Sequence, residues 1–265
     1  AVLPGVDVTP FKIDDKDLPD LDSPPQLWEK LTGADPSSDP SFLILTDPFT
    51  IRSENLIMGL DYAFEGGVKI GGMASGGRSQ GSNALILNDE VFRSGGVGLA
   101  LHGNIIVDTI VAQGCRPIGI PMRVTKSDRN LLLGLNDRPA LDVLKELYDS
   151  QSERDQELVR HSLFLGVVMD EFKDEPQLGD FLIRNIVGMD PKAGALGIGE
   201  ILREGQIVQF HLRDALTSAE ELAYLLTRYT ETESRGDPIG ALLFSCLGRG
   251  IYLYGQPDHL SLIHI

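Results

Sequence analysis

Three arginines stand where an arginine is costly to leave unpaired. Arg184 lies inside the apolar run "FLIRN", Arg213 ends the apolar run "VQFHLR" just ahead of Asp214, and Arg249 sits between two glycines in "GALLFSCLGRG". Arginine is rarely buried without a partner. Its planar fork binds a carboxylate through two parallel bonds. The three therefore predict either a carboxylate clamp or ion pairs inside the protein, with Asp180, Asp190 and Asp214 as the acids at hand.

The glycine cluster "GGMASGG" (Gly71 to Gly77) ends a strand-like run, but no phosphate-loop or dinucleotide fingerprint surrounds it. It reads as a close crossing of backbones or as a pocket floor at Gly72, Ser75 and Gly76. Ser245 and Cys246 raise the question of a nucleophile. A thiolate needs a nearby imidazole or a positive helix end, and spacing brings none of His102, His161, His211 or His259 to Cys246. The Gly-flanked serine elbow is absent. Cys246 reads first as packing, with a Cys246-dependent hydrolase as the alternative. Cys115 and Cys246 are too far apart in sequence for a paired zinc motif. No metal and no cofactor are expected.

The elements that must position these residues follow from hydropathy patterning. The chain has 265 residues, 42% of them hydrophobic, which suits one large or two ordinary domains. A net charge of −16 disfavours nucleic acid and anionic membrane surfaces as partners. Two cysteines do not make a disulfide framework and favour a reducing, cytoplasmic setting. Asp14 to Pro40 reads as an acidic surface connector with a short helix at "LWEKL". "FLIL" reads as a buried strand, and the spacing of Leu56, Ile57 and Leu60 predicts a helix.

Asn83 to Gly103 reads as strands joined by tight turns, and "NIIVDTIVAQGCRPIG" as another β-rich run closed by Pro117. Leu141, Leu144, Leu147 and Tyr148 share one helical face after Pro139. "SLFLGVVM", "GDFLIRNIVGMD" and "GALGIGEILREGQIVQFHLRD" read as strands with glycine turns. "TSAEELAYLLTRY" reads as a helix with Thr217 and Glu220 as a capping box, and "GALLFSC" as the next strand. "EVFRSGGVGLAL" echoes "EILREGQIVQFHL", which suggests two β-rich halves related by duplication. The fold class expected is α+β, with mixed sheets and helices outside. The opening "AVLPGVDVTPF" and the tail "LSLIHI" suggest a fragment of a reading frame, with residues 260–265 an adapter-derived, non-native tail.

"DPF" (Asp47 to Phe49), "IGGMASGG", "VAQGCRPIG", "GDFLIRNIVGMD", "VQFHLRDA" and "GALLFSCLGRG" occur in an order that resembles the FIST (F-box and intracellular signal transduction) family. The closest likeness is to the stand-alone bacterial form with both FIST domains. The resemblance assigns residues 1–136 to a partial N-terminal FIST domain and 137–259 to a partial C-terminal one, truncated at both ends. It implies an intracellular sensory protein that binds a small ligand, an amino acid or a related small carboxylate, and signals to a protein partner. It supplies no catalytic residues.

Such a ligand needs an arginine for its carboxylate and an acid for its amine. Arg249, Arg213 or Arg184 would serve the first and Asp214 the second, with Gly72, Ser75, Gly76, Ser245 and Cys246 lining the site. The rival reading is an adaptor-like interaction module without a small ligand. No enzyme activity is expected.

Overall fold

The computed structural model describes residues 3–169, 176, 179–232 and 238–260. The chain is α+β and divides into two compact units. The first comprises Ala1–Thr109 with Leu242–Phe244, the second Ile110–Ala241 with Ser245–Ile265. The spatial division falls ahead of residue 136, because the strands that follow Cys115 bond into the second unit.

The first unit runs β1 (Val6–Ile13), α1 (Pro25–Thr32), β2 (Ser41–Thr46), α2 (Ser53–Ala63), β3 (Lys69–Met73), β4 (Leu85–Leu87), β5 (Glu90–Phe92) and β6 (Gly96–Gly103). Its main sheet has the order β1-β6-β2-β3, and only β2 and β3 are parallel, with α2 as the crossover. Phe42 of β2 stacks edge-on against Phe11 and Phe64, and the helices contribute Trp28, Leu56 and Leu60 to the same core. Asn88 takes a positive φ of 53° in the β4–β5 hairpin, as its turn chemistry requires.

The second unit runs β7 (Arg116–Asp128), β8 (Leu131–Leu135), β9 (Arg138–Pro139), α3 (Ala140–Ser150), α4 (Glu153–Ser162), β10 (Leu163–Val168), β11 (Phe181–Asp190), β12 (Ala195–Ile198), β13 (Ile207–Leu212), α5 (Ala215–Thr232) and α6 (Ile251–Tyr254). The pairings β7-β8-β12-β11-β10-β13-β7 close on themselves as an antiparallel ring. Closure leaves less sheet edge to protect than an open sheet of the same strands would have. Period-2 side chains form one core: Val208, Phe210 and Leu212 of β13, Leu165 and Val167 of β10, and Leu196 and Ile198 of β12. The α3 face of Leu141 and Leu144 packs on it, as its spacing dictates.

Three expectations are corrected. Ile105–Cys115 forms no strand; regular pairing begins at Arg116, and Pro117 lies inside β7 at its start. A proline is tolerated there because strand ends release one ladder bond. Ala241–Cys246 forms no strand either, having no partner strand among the described residues. The cap of α5 is Asp214, whose Oδ1 accepts the Thr217 N–H at 2.8 Å, so the helix starts before the expected Thr217 box. No described helix is long and apolar enough to cross a membrane. Of the tail "LSLIHI", only Leu260 is among the described residues.

Candidate functional site

Strand β13 is buried on both faces. Its Gln209 and His211 point away from the aliphatic core and are buried all the same. Such groups need hydrogen bonds. Gln209 Nε2 donates to the Gly119 carbonyl at 2.8 Å, and His211 Nδ1 lies 3.0 Å from the Gln209 carbonyl. His211, 1% exposed, also meets the Phe181 ring edge-on at 4.9 Å between centroids. Burial lowers its pKa from the usual 6.5.

Against this second face lies the segment Ala112–Cys115, through which the chain reaches β7. Charged side chains hold its backbone. Arg249 Nη1 donates to the Ala112 carbonyl at 2.7 Å. Arg213 Nη2 donates to the Gln113 carbonyl at 3.2 Å, and its Nε lies 3.3 Å from the Cys115 sulfur. Glu221 accepts the N–H groups of Gly114 and Gln113. The Gln113 carboxamide bonds β11 in turn: it donates to the Phe181 carbonyl and accepts the Ile183 N–H at 2.7 Å. Gly114 is needed here, with φ at 69° and space for a Cβ only 2.4 Å from Ser218 Oγ.

A small cleft of about 10 Å³, room for about one water molecule, opens between these parts, lined by Gln113, Cys115, Gly179, Phe181, Ile183, His211 and Glu221. Glu221 is 3% exposed, on the inward face of α5. Burial raises its pKa; the Gly114 and Gln113 N–H groups and the charges of Arg249 and Arg213 partly offset this. Burial also raises the Cys115 thiol, against the pull of Arg213, so it is a neutral thiol rather than a thiolate. The cleft thus offers one acid, one neutral imidazole, an aromatic wall and two nearby guanidiniums. Among the described residues no group of three or more His, Cys, Asp or Glu is arranged for a metal ion.

The predicted site residues fall in several places. Arg213 and Arg249 both reach the Ala112–Cys115 segment, on carbonyls rather than carboxylates. Arg249 also meets Ser218 Oγ at 2.8 Å and Tyr254 Oη at 3.2 Å. Arg184 pairs with Glu200, an acid absent from the three considered. Asp214 caps α5 and lies 3.6 Å from Arg116 Nε and 3.9 Å from Arg154 Nη2. Its pKa is lowered: burial acts upward, and the Thr217 bonds with the two arginines outweigh it.

Gly72, Ser75 and Gly76 belong to the first unit. A Cβ at their neighbour Gly71 would fall 1.7 Å from the Ile44 carbonyl, so β3 there is a close backbone crossing. The loop after it is fixed by buried polar groups: Gly77 N–H donates to Asn83 Oδ1 and Asn83 Nδ2 to Asp47 Oδ1, both at 2.8 Å. Ser245 and Cys246 are exposed, which corrects the packing reading of Cys246. Among the described residues no imidazole is hydrogen-bonded to its sulfur.

Sequence reasoning missed Gln113, Cys115, His211 and Glu221 as a group. Glu221 had a signal: with Ser218, Leu222 and Leu225 it keeps the spacing of one helical face, so an acid stands on the apolar side. His211 had another, as a titratable residue inside "VQFHL".

The FIST N domain profile matches residues 7–138 and the FIST C domain profile residues 140–264. An uncharacterized protein of Mycobacterium tuberculosis (strain ATCC 25618 / H37Rv), Rv0628c, is 42% identical over 217 residues, covering 82% of this chain and 56% of the relative. The uncharacterized protein Mb0898c of Mycobacterium bovis is 40% identical over the same extent. The chain therefore spans about half the length of the curated relatives it matches. No solved structure matches it.

Proposed function

We propose a function from one premise: the chain belongs to the FIST family, whose domains are associated with signal transduction and small-ligand sensing. On this reading it is a cytoplasmic sensory protein. Its second unit holds a small zwitterion, an amino acid or a close relative, and passes its occupancy to a signalling partner without converting it. The observation that carries the reading is Glu221, a buried acid in a cleft that also has an aromatic wall. A buried carboxyl is unfavourable unless it is paired. A ligand ammonium would complete its pairing, and Arg213 and Arg249 supply positive potential for the ligand carboxylate. Glu221 takes the role expected of Asp214, which is engaged as a helix cap.

No chemical step is assigned to Cys246, because an exposed thiol with no imidazole bonded to it among the described residues lacks the base that would activate it. A second reading, a docking module for a protein partner, draws on the apolar side chains of Ile239, Leu247 and Tyr252, exposed by 90%, 84% and 102%.

The test is a thermal-shift panel of amino acids and small carboxylates. A ligand at a hundred times its Kd stabilises by about 2.7 kcal/mol, a shift of several degrees at this size. A selective shift that is lost in Glu221→Gln supports the sensor. No shift from a folded chain favours the docking module.

A further inference from the structure

Among the described residues, the pairing of the second unit's ring leaves a gap at β11. Residues 181–185 of β11 bond β10 on one side, while β12 covers only 186–190 on the other. Successive residues of a strand turn their backbone groups to opposite sides. Met169 N–H bonds the Asp180 carbonyl, which fixes the even-numbered residues toward β10. The Phe181 carbonyl and the Ile183 N–H therefore face the gap. Both are taken by one side chain, the Gln113 carboxamide. A donor and an acceptor that bridge residues i and i+2 of a strand do what one residue of a parallel neighbour does.

An α-amino acid carries the same pair. Its ammonium is a donor with three N–H bonds, and its carboxylate is an acceptor. We propose that Gln113 is a built-in occupant of the subsite for an amino-acid main chain. The ligand displaces the carboxamide: its ammonium bonds the Phe181 carbonyl and Glu221, and its carboxylate accepts the Ile183 N–H. Gln113 belongs to the strandless run that leads into β7, so displacement loosens that run and reports occupancy. The proposal rests on the reading that this cleft takes an amino acid.

Glycine and L-alanine are the probes, with methylamine and acetate as half-ligands. Each is titrated calorimetrically into the full chain, Gln113→Ala and Gln113→Glu. Removing an internal competitor raises apparent affinity by the reciprocal of the fraction of molecules in which the subsite stood free. Gln113→Ala is expected to bind a probe at least about tenfold more tightly than the unmodified chain. Gln113→Glu keeps an acceptor for Ile183 and loses the donor to Phe181, so it falls between, and it serves if the alanine variant does not fold. Neither half-ligand should bind comparably. Thermolysin cleavage within residues 105–111 should rise when the probe binds the unmodified chain, and be raised without probe in Gln113→Ala.

Equal affinity in all three proteins overturns the proposal, as does binding with unchanged cleavage, or no binding to either variant. Binding confined to the variants keeps the subsite and removes the sensory function. Equal binding everywhere keeps a sensor and removes the subsite.

Discussion

The Arg249 guanidinium reaches across 137 positions of sequence to the carbonyl of Ala112, with Nη1 and O 2.7 Å apart. The same guanidinium bonds Ser218 and Tyr254, and the Tyr254 hydroxyl closes the triangle 2.7 Å from Ser218 Oγ. An arginine expected to meet a ligand carboxylate is thus engaged in holding the chain where it enters the second unit.

Arg249→Ala should therefore cost stability. It strands the half-buried Ala112 carbonyl and leaves the Ser218 and Tyr254 hydroxyls only each other as partners, and a polar group left unpaired away from water costs about 1–3 kcal/mol. Urea unfolding checks this, with a lower midpoint expected for Arg249→Ala. An unchanged midpoint with ligand binding abolished would return Arg249 to the ligand-clamp role.

Arg184→Ala should do little. Its pair with Glu200 is about one-third exposed on both sides, and pairs open to solvent contribute about 0–1 kcal/mol. The expected urea midpoint is close to that of the unmodified chain, and ligand shifts should persist.

Much of the fold was legible in the residues. Leu141 and Leu144 declared α3 by spacing, and the run "GALGIGEILREGQIVQFHLRD", read as strands with glycine turns, contains β12 and β13. Composition misled at Ile105–Cys115 and Ala241–Cys246, which are rich in strand-forming residues. Strand propensity needs a bonding neighbour to act on, and neither segment has one among the described residues. The site was less legible because its parts lie about a hundred positions apart: the Gly114–Glu221 bond spans 107 residues, and Arg213 reaches Gln113 across 100. Glutamine and glycine in "AQGC" carry no spacing rule that points to such partners.

Glu221 makes stability fall with rising pH. Its folded pKa is raised above 4.5, so between 4.5 and that value the folded chain holds a proton that the unfolded chain has lost. Its contribution is complete below about pH 4.5 and disappears as pH passes through the folded value. Glu221→Gln cannot titrate. The difference in unfolding free energy between the two proteins, followed by urea titration from pH 4 to 8, should drift in favour of the variant as pH rises. A flat difference would mean that the carboxyl is not desolvated.

His211 acts in the opposite direction. Its folded pKa is lowered below 6.5, so on acidification the unfolded chain takes the proton first. Its contribution is present above pH 6.5 and is lost as pH falls through the folded value. His211→Gln should be less sensitive than the unmodified chain to a drop from pH 7.5 to 5.5, measured as the change in thermal midpoint.

The most direct test of a ligand cleft in the second unit is a pair of amide correlation spectra of the 15N-labelled chain, without and with an equimolar mixture of the twenty standard amino acids. The expected result is a cluster of shifted resonances at Gln113–Cys115, Phe181–Ile183 and Glu221. A cluster at Gly72–Gly77 instead, or no shift in a well-dispersed spectrum, would contradict it.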